Sequence, residues 1–122
     1  MSDSYPRLDD NTVVYRALTR SRDINKLTGD PAPDGFIRRE KGDEDGLSVS
    51  ITRSVEVEFK ALVSLTVGQI RELGLDVIQD EPTHAYIVDL PLRSESTQSA
   101  ARAEYLGGEL AARCTLVDTS SR

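Results

Sequence analysis

The chain has 122 residues and a formal charge of −6, with 15 Lys and Arg against 21 Asp and Glu, one cysteine, one histidine and no tryptophan. One cysteine excludes an internal disulfide, and one Cys with one His excludes the usual zinc sites built from those ligands. A pI near 4.7 argues against nucleic acid binding driven by net charge, and 5% aromatic content leaves the core of a single domain to Val, Leu, Ile and Ala.

Residues 1–11 are polar and read as a flexible lead-in, with neither the charged start nor the apolar stretch of a secretory signal. Apolar runs stop at three or four residues, far short of the ~20 that span a bilayer, so no membrane association is expected and a cytoplasmic location is. A single domain is expected over 12–118, with 119–122 frayed.

Thr12–Leu18 is the first strand, rich in β-branched and aromatic residues. Asp30-Pro-Ala-Pro-Asp-Gly35 is a dense turn cluster, and Phe36–Arg39 is either a short strand or the start of another turn. A charged loop, Glu40–Gly46, leads into Leu47-Ser-Val-Ser-Ile51, whose alternation turns Leu47, Val49 and Ile51 inward.

Residues 54–61 carry both a strand alternation and a helix start at Ser54, with the strand favoured. Leu62–Thr66 continues as a strand. Thr66 caps a short helix over Val67–Leu73, which Gly74 ends. Leu75–Ile78 is a strand, and a turn follows around Asp80–Pro82. His84–Leu90 is the next strand, ended by Pro91.

Ser94 or Ser96 opens the longest helix, which runs to about Arg113. Its apolar stripe is Ala100, Ala103, Leu106 or Gly107, Leu110, Ala111 and Cys114. The Gly107-Gly108 pair costs about 1–2 kcal/mol of helix propensity, which predicts close backbone packing there. Thr115–Asp118 returns as a last strand. The expected fold is α+β (mixed α/β being the variant): five or six short strands in one sheet, with one long and one or two short helices covering one face.

The charge is uneven. Residues 16–41 carry seven cations against four acids, and residues 42–92 carry three cations against ten acids. Electrostatic capture of an anion would therefore be local to the first segment, through Arg16, Arg38 and Arg39. Arg16 stands out because it lies inside an apolar strand.

His84 is the only side chain that titrates near neutrality unperturbed, and the carboxylates of Asp80 and Glu81 precede it closely enough to orient it as a general base. Ser48, Ser50 or Ser64 could complete a Ser-His-Asp arrangement, although GxSxG is missing. Cys114 falls on the apolar stripe and reads as inert. Asp76, Asp80, Glu81 and Asp89 form an acidic set that reads as a solvated face rather than a metal site, and neither a calcium loop nor a nucleotide-binding glycine motif occurs. No cofactor is expected.

Two resemblances attach to particular residues. Val14-Tyr15-Arg16 followed by Leu47–Ser50 faintly resembles the Arg…Ser…Glu order of ADP-ribosyltransferase-like folds. That resemblance implies Arg16 gripping the phosphates of NAD and Ser48 and Ser50 supporting the site. The chain departs from the pattern at the Glu: Glu56 and Glu58 come too soon, and Glu104 and Glu109 lie on the long helix. Val14–Ala17, Asp43–Val49, Gly68–Asp80 and His84-Ala85 together resemble small bacterial proteins of unassigned role, some cyanobacterial. This implies a bacterial origin and a free-standing domain, with no activity to carry over.

The favoured reading is a small non-catalytic interaction domain whose acidic 42–92 segment docks a protein partner, in particular a basic one. The alternative is a small enzyme or ligand-binding domain for a phosphorylated or nucleotide (NAD-like) substrate. There Arg16, Arg38 and Arg39 would hold the anion, Ser48 or Ser50 would hydrogen bond, and His84 would act as general acid or base. It requires Arg16 and His84 within ~10 Å of each other on one surface. A third reading is a homo-oligomer whose apolar strands complete a sheet across an interface.

Overall fold

A computed structural model describes residues 5–25, 27–39, 46–53, 59–92 and 94–119. The alternating segments become the strands β1 (Val13–Leu18), β2 (Leu47–Ser50), β3 (Ala61–Thr66), β4 (Asp76–Glu81), β5 (His84–Val88) and β6 (Thr115–Thr119). They form one antiparallel sheet in the order β4-β5-β2-β1-β3-β6. The fold is α+β, as expected from the order of elements. The strand-or-helix alternative at 54–61 falls largely outside the described residues, and the charged loop at 40–45 lies wholly outside them.

Register divides the sheet into two chemically distinct faces. Tyr15 lies opposite Ser50 on one side and Ser64 on the other, and Ser50 in turn lies opposite His84. Because side chains alternate along a strand, Val14 and Leu18 share the other face with Val49, Leu47, Val63, Ala85 and Ile87. All of these belong to the one buried apolar cluster, together with Phe36 and the helical residues Val67, Ile70, Leu106 and Leu110. Among the described residues the helices pack on this face; on the other face Leu62 is buried and Tyr15, Ser48, Ser64 and Tyr86 are half-buried.

The two helices are α1 (Val67–Arg71) and α2 (Thr97–Arg113). Thr66 Oγ1 accepts from the Gln69 N–H at 3.1 Å while Gln69 Oε1 accepts from the Thr66 N–H at 2.9 Å, a reciprocal cap that starts α1. Gly74, at φ +83°, ends the turn that follows. Of the two candidate caps for α2, Ser96 is the one used, accepting from the Ser99 N–H at 3.0 Å. Leu106 and Leu110 are fully buried, and each contributes about 1.5–3 kcal/mol by leaving water.

Several expectations are corrected. Phe36–Arg39 is neither strand nor a turn start: a 3-10 turn over Pro33–Phe36 buries Phe36 and passes into irregular chain. The strand expected at 75–78 runs on to Glu81, past an irregularity between Gln79 and Glu81, which shrinks the hairpin turn to Pro82-Thr83. Part of the expected flexible lead-in is tied down. Leu8 packs on the core, and Arg71 holds Asp10 (2.6 Å) and Asp76 (2.8 Å) at once. Burial alone would raise the Asp76 pKa. The hydrogen bonds from Arg71 and from the Val77 N–H, with the charges of Arg71 and Arg7, bring it below the ordinary carboxylate value.

The two adjacent glycines of α2 turn out to differ. A Cβ on Gly107 would lie 2.8 Å from Ile37 Cδ1 and 2.9 Å from the Pro33 carbonyl oxygen, so this glycine lets the 3-10 turn approach the helix. A Cβ on Gly108 would meet nothing within 4 Å, so close packing explains one glycine and not the other. Gly107→Ala is expected to cost about 1–3 kcal/mol through overpacking, whereas Gly108→Ala is expected to gain up to about 1 kcal/mol of helix propensity. Urea unfolding at low micromolar protein checks both signs.

Candidate functional site

Arg16 lies on the helix-covered face, flanked along β1 by Val14 and Leu18. Its Nε donates to the Gly35 carbonyl at 2.6 Å and its Nη1 to the Ser48 carbonyl at 2.8 Å. The guanidinium carbon stands 6.0 Å from the centre of the Phe36 ring, within cation–π range. One planar cation thus fastens the 3-10 turn to β2. Those two carbonyl bonds occupy donors that a phosphate would need.

His84 projects from the opposite face. Its Nδ1 is 2.7 Å from Asp80 Oδ1, and its ring meets Tyr86 edge-on with centroids 4.7 Å apart. Asp80 is thus the carboxylate beside the imidazole, placed there by the β4–β5 hairpin. Ser50 sits directly across from His84, but its hydroxyl donates to the Thr52 carbonyl at 2.7 Å and lies 3.3 Å from that of Thr83. Ser48 faces Tyr86 across the same pair of strands.

The remaining nominated cations lie elsewhere. Arg38 donates to the Leu90 carbonyl at 3.2 Å, two residues past the end of β5, a strand whose own span from His84 is about 13 Å. Arg39 is exposed on the irregular chain that follows the 3-10 turn. The fold therefore gathers His84, Ser48 and Ser50 on one surface and sets Arg16 on the other, with Arg38 apart from both. A pocket in which Arg16 and His84 converge does not exist among the described residues.

Cys114 caps the C-terminus of α2, its thiol donating to the Ala111 carbonyl at 3.2 Å. Burial pushes its pKa up to about 11, so little thiolate forms at neutral pH. Reaction with a thiol-specific disulfide reagent at pH 8 should run at least ~10-fold slower than in urea-unfolded protein. Equal rates would show an accessible, ordinary thiol.

The surface that carries His84 holds more than the nominated residues. Tyr15, Tyr86, Ser64, Val13 and Ile78 share it by register, the last two being 38% and 51% exposed. Asp76 and Asp80 line its β4 edge, so aromatic rings and hydroxyls lie in the middle and carboxylates on one rim. Period-two alternation signals Tyr15 and Tyr86 as partners of the serines, but the grouping emerges only once β2 is known to lie between β1 and β5. Among the described residues, no group of three or more His, Cys, Asp and Glu is placed to hold a metal ion, and no helix is long and apolar enough to cross a membrane. No family model, curated protein or solved structure matches the chain.

Proposed function

We propose that the protein is a small non-catalytic interaction domain that docks a cationic polypeptide on the sheet face opposite the helices. The observation that carries this reading is the segregation of the two faces. One is filled by the helices and by Arg16, and the other presents Tyr15, Tyr86, His84 and the serines beside Asp76 and Asp80. Aromatic rings receive guanidinium and ammonium groups on their faces, and a carboxylate rim steers such groups inward.

The acidity of residues 42–92 enters more narrowly than net charge suggests. Asp76 is held by Arg71, and Glu72 accepts from Arg113 at 3.0 Å. Among the described residues, Asp80 and Glu81 at the turn end of the β4–β5 hairpin form an acidic rim beside His84. The enzymatic alternative loses the geometry it needed, since an anion held by Arg16 would lie across the sheet from His84. What favours that second reading is the His84–Asp80 contact alone, which suits proton transfer.

The test is titration with a short Arg/Gly peptide, followed by fluorescence anisotropy. Saturable binding is expected, weakened ~10-fold or more between about 50 mM and about 500 mM salt. Tyr86→Ala and Asp80→Asn should each weaken it several-fold at low salt. Binding indifferent to salt and to both substitutions would overturn the reading.

A further inference from the structure

Building on the docking reading above, we infer that protonation of His84 gates the docking surface, because a proton on the imidazole and a cationic side chain of the partner compete for Asp80. His84 is the only histidine in the chain. Imidazole is the one side chain whose ordinary titration falls between about pH 5 and 8.

The fold sets that titration beside the carboxylate an incoming cation would seek. His84 Nδ1 stands 2.7 Å from Asp80 Oδ1. A carboxylate only accepts, so Nδ1 carries a hydrogen in both charge states, and the proton that comes and goes is the one on Nε2. With the ring neutral, the charge of Asp80 is available to a guanidinium or ammonium from the partner. With the ring protonated, the same contact becomes an ion pair with a charge-assisted bond, and that charge is already matched. The side chains of His84 and Asp80 are 29% and 33% exposed, so proton and partner can both reach them.

The neighbours of the ring come from three strands. On β4, Glu81 is the register partner of His84 and Asp80 precedes it. On β5, Tyr86 meets the imidazole edge-on with centroids 4.7 Å apart. On β2, Ser50 lies directly opposite, and the chain runs on through Thr52 to the exposed cation Arg53. Carboxylates ordinarily titrate near about pH 4, and phenols and guanidiniums at about pH 10 and above. The imidazole is therefore the group whose ordinary range is crossed near neutrality, and each proton it takes adds one positive charge to a surface that receives positive charge.

Linkage fixes the sign. A partner that prefers the neutral ring expels the proton, so affinity rises with pH through the imidazole range and the titration midpoint of His84 falls in the complex.

The test uses the full chain and an Arg/Gly peptide blocked at both termini, so that no peptide group titrates in this range. By fluorescence anisotropy at fixed salt, binding should be roughly tenfold tighter at about pH 8 than at about pH 5.5. In His84→Gln, its fold verified by circular dichroism, the two affinities should agree within about twofold. The imidazole C–H resonances of the single histidine, followed against pH, should reach their midpoint about one pH unit lower with saturating peptide than without. Absence of binding at the higher pH would overturn the docking reading and this inference with it. Saturable binding that is equally tight at both pH values, or whose pH dependence survives His84→Gln, would overturn the gating and leave docking standing. A midpoint unmoved by saturating peptide would do the same.

Discussion

Replacing Arg16 by Met is expected to lower the unfolding free energy by about 3 kcal/mol. Met keeps most of the apolar stem against Phe36 but offers no donor, so the Gly35 and Ser48 carbonyls lose their charged partner. A hydrogen bond to a charged group contributes about 1.5–3 kcal/mol, and each buried carbonyl left unpaired carries its own desolvation cost. Arg16→Lys should recover part of the loss, because one ammonium cannot reproduce the two-pronged geometry of a guanidinium. Urea midpoints for the three proteins give the comparison. A loss under about 0.5 kcal/mol, the range of an ordinary surface change, would mean that Arg16 is not the clamp described above.

The second large effect is expected at Gly46, immediately before β2. Its φ of +133° lies where side-chain-bearing residues rarely go. A Cβ there would stand 2.5 Å from the Ile87 carbonyl oxygen and 3.1 Å from Tyr86 Cβ. The first neighbour is backbone within β5 and cannot move without breaking the β2–β5 ladder. Gly46→Ala combines backbone strain with overpacking, each typically about 1–3 kcal/mol, and should lower stability by roughly 3 kcal/mol or more. Because β2–β5 pairing holds Ser48 and Ser50 beside Tyr86 and His84, peptide binding should fall with it. A near-neutral substitution would imply that β2 can shift register freely, which the strict inside–outside alternation of Leu47–Ser50 forbids.

Features dictated by short-range pattern were legible in the sequence. The Thr66–Gln69 cap, the Gly74 stop, the stripe of α2 and the alternation of Leu47–Ser50 all depend on residues within one or two helical turns or one strand. The turn at Pro33–Phe36 was legible in the cluster Asp30–Gly35, but its packing against α2 was not, because that contact depends on Gly107, far along the chain. Likewise, Leu8 and Asp10 look like an unattached polar lead until Arg71, 61 residues from Asp10, is placed beside them.

The candidate site divides in the same way. The proximity of a carboxylate to His84 followed from four residues of separation and a hairpin between them. The role of Arg16 did not, since its partners lie 19 and 32 residues away. An arginine in an apolar strand invites an anion. The same planar donor set serves equally well to bind two carbonyls that the fold would otherwise leave buried and unpaired. Gly107 and Gly108, indistinguishable as a pair of helix breakers, separate only when the neighbours of each are known.

The most direct test of the docking face is amide chemical-shift mapping during titration with the Arg/Gly peptide. Saturating shifts clustered on Tyr15, Ser48, Ser50, Ser64, His84 and Tyr86 are expected, with Pro33–Ile37 and the inner face of α2 unmoved. Shifts centred instead on the Arg16 side of the sheet, or scattered without saturation, would contradict a cation-binding surface on the sheet face opposite the helices.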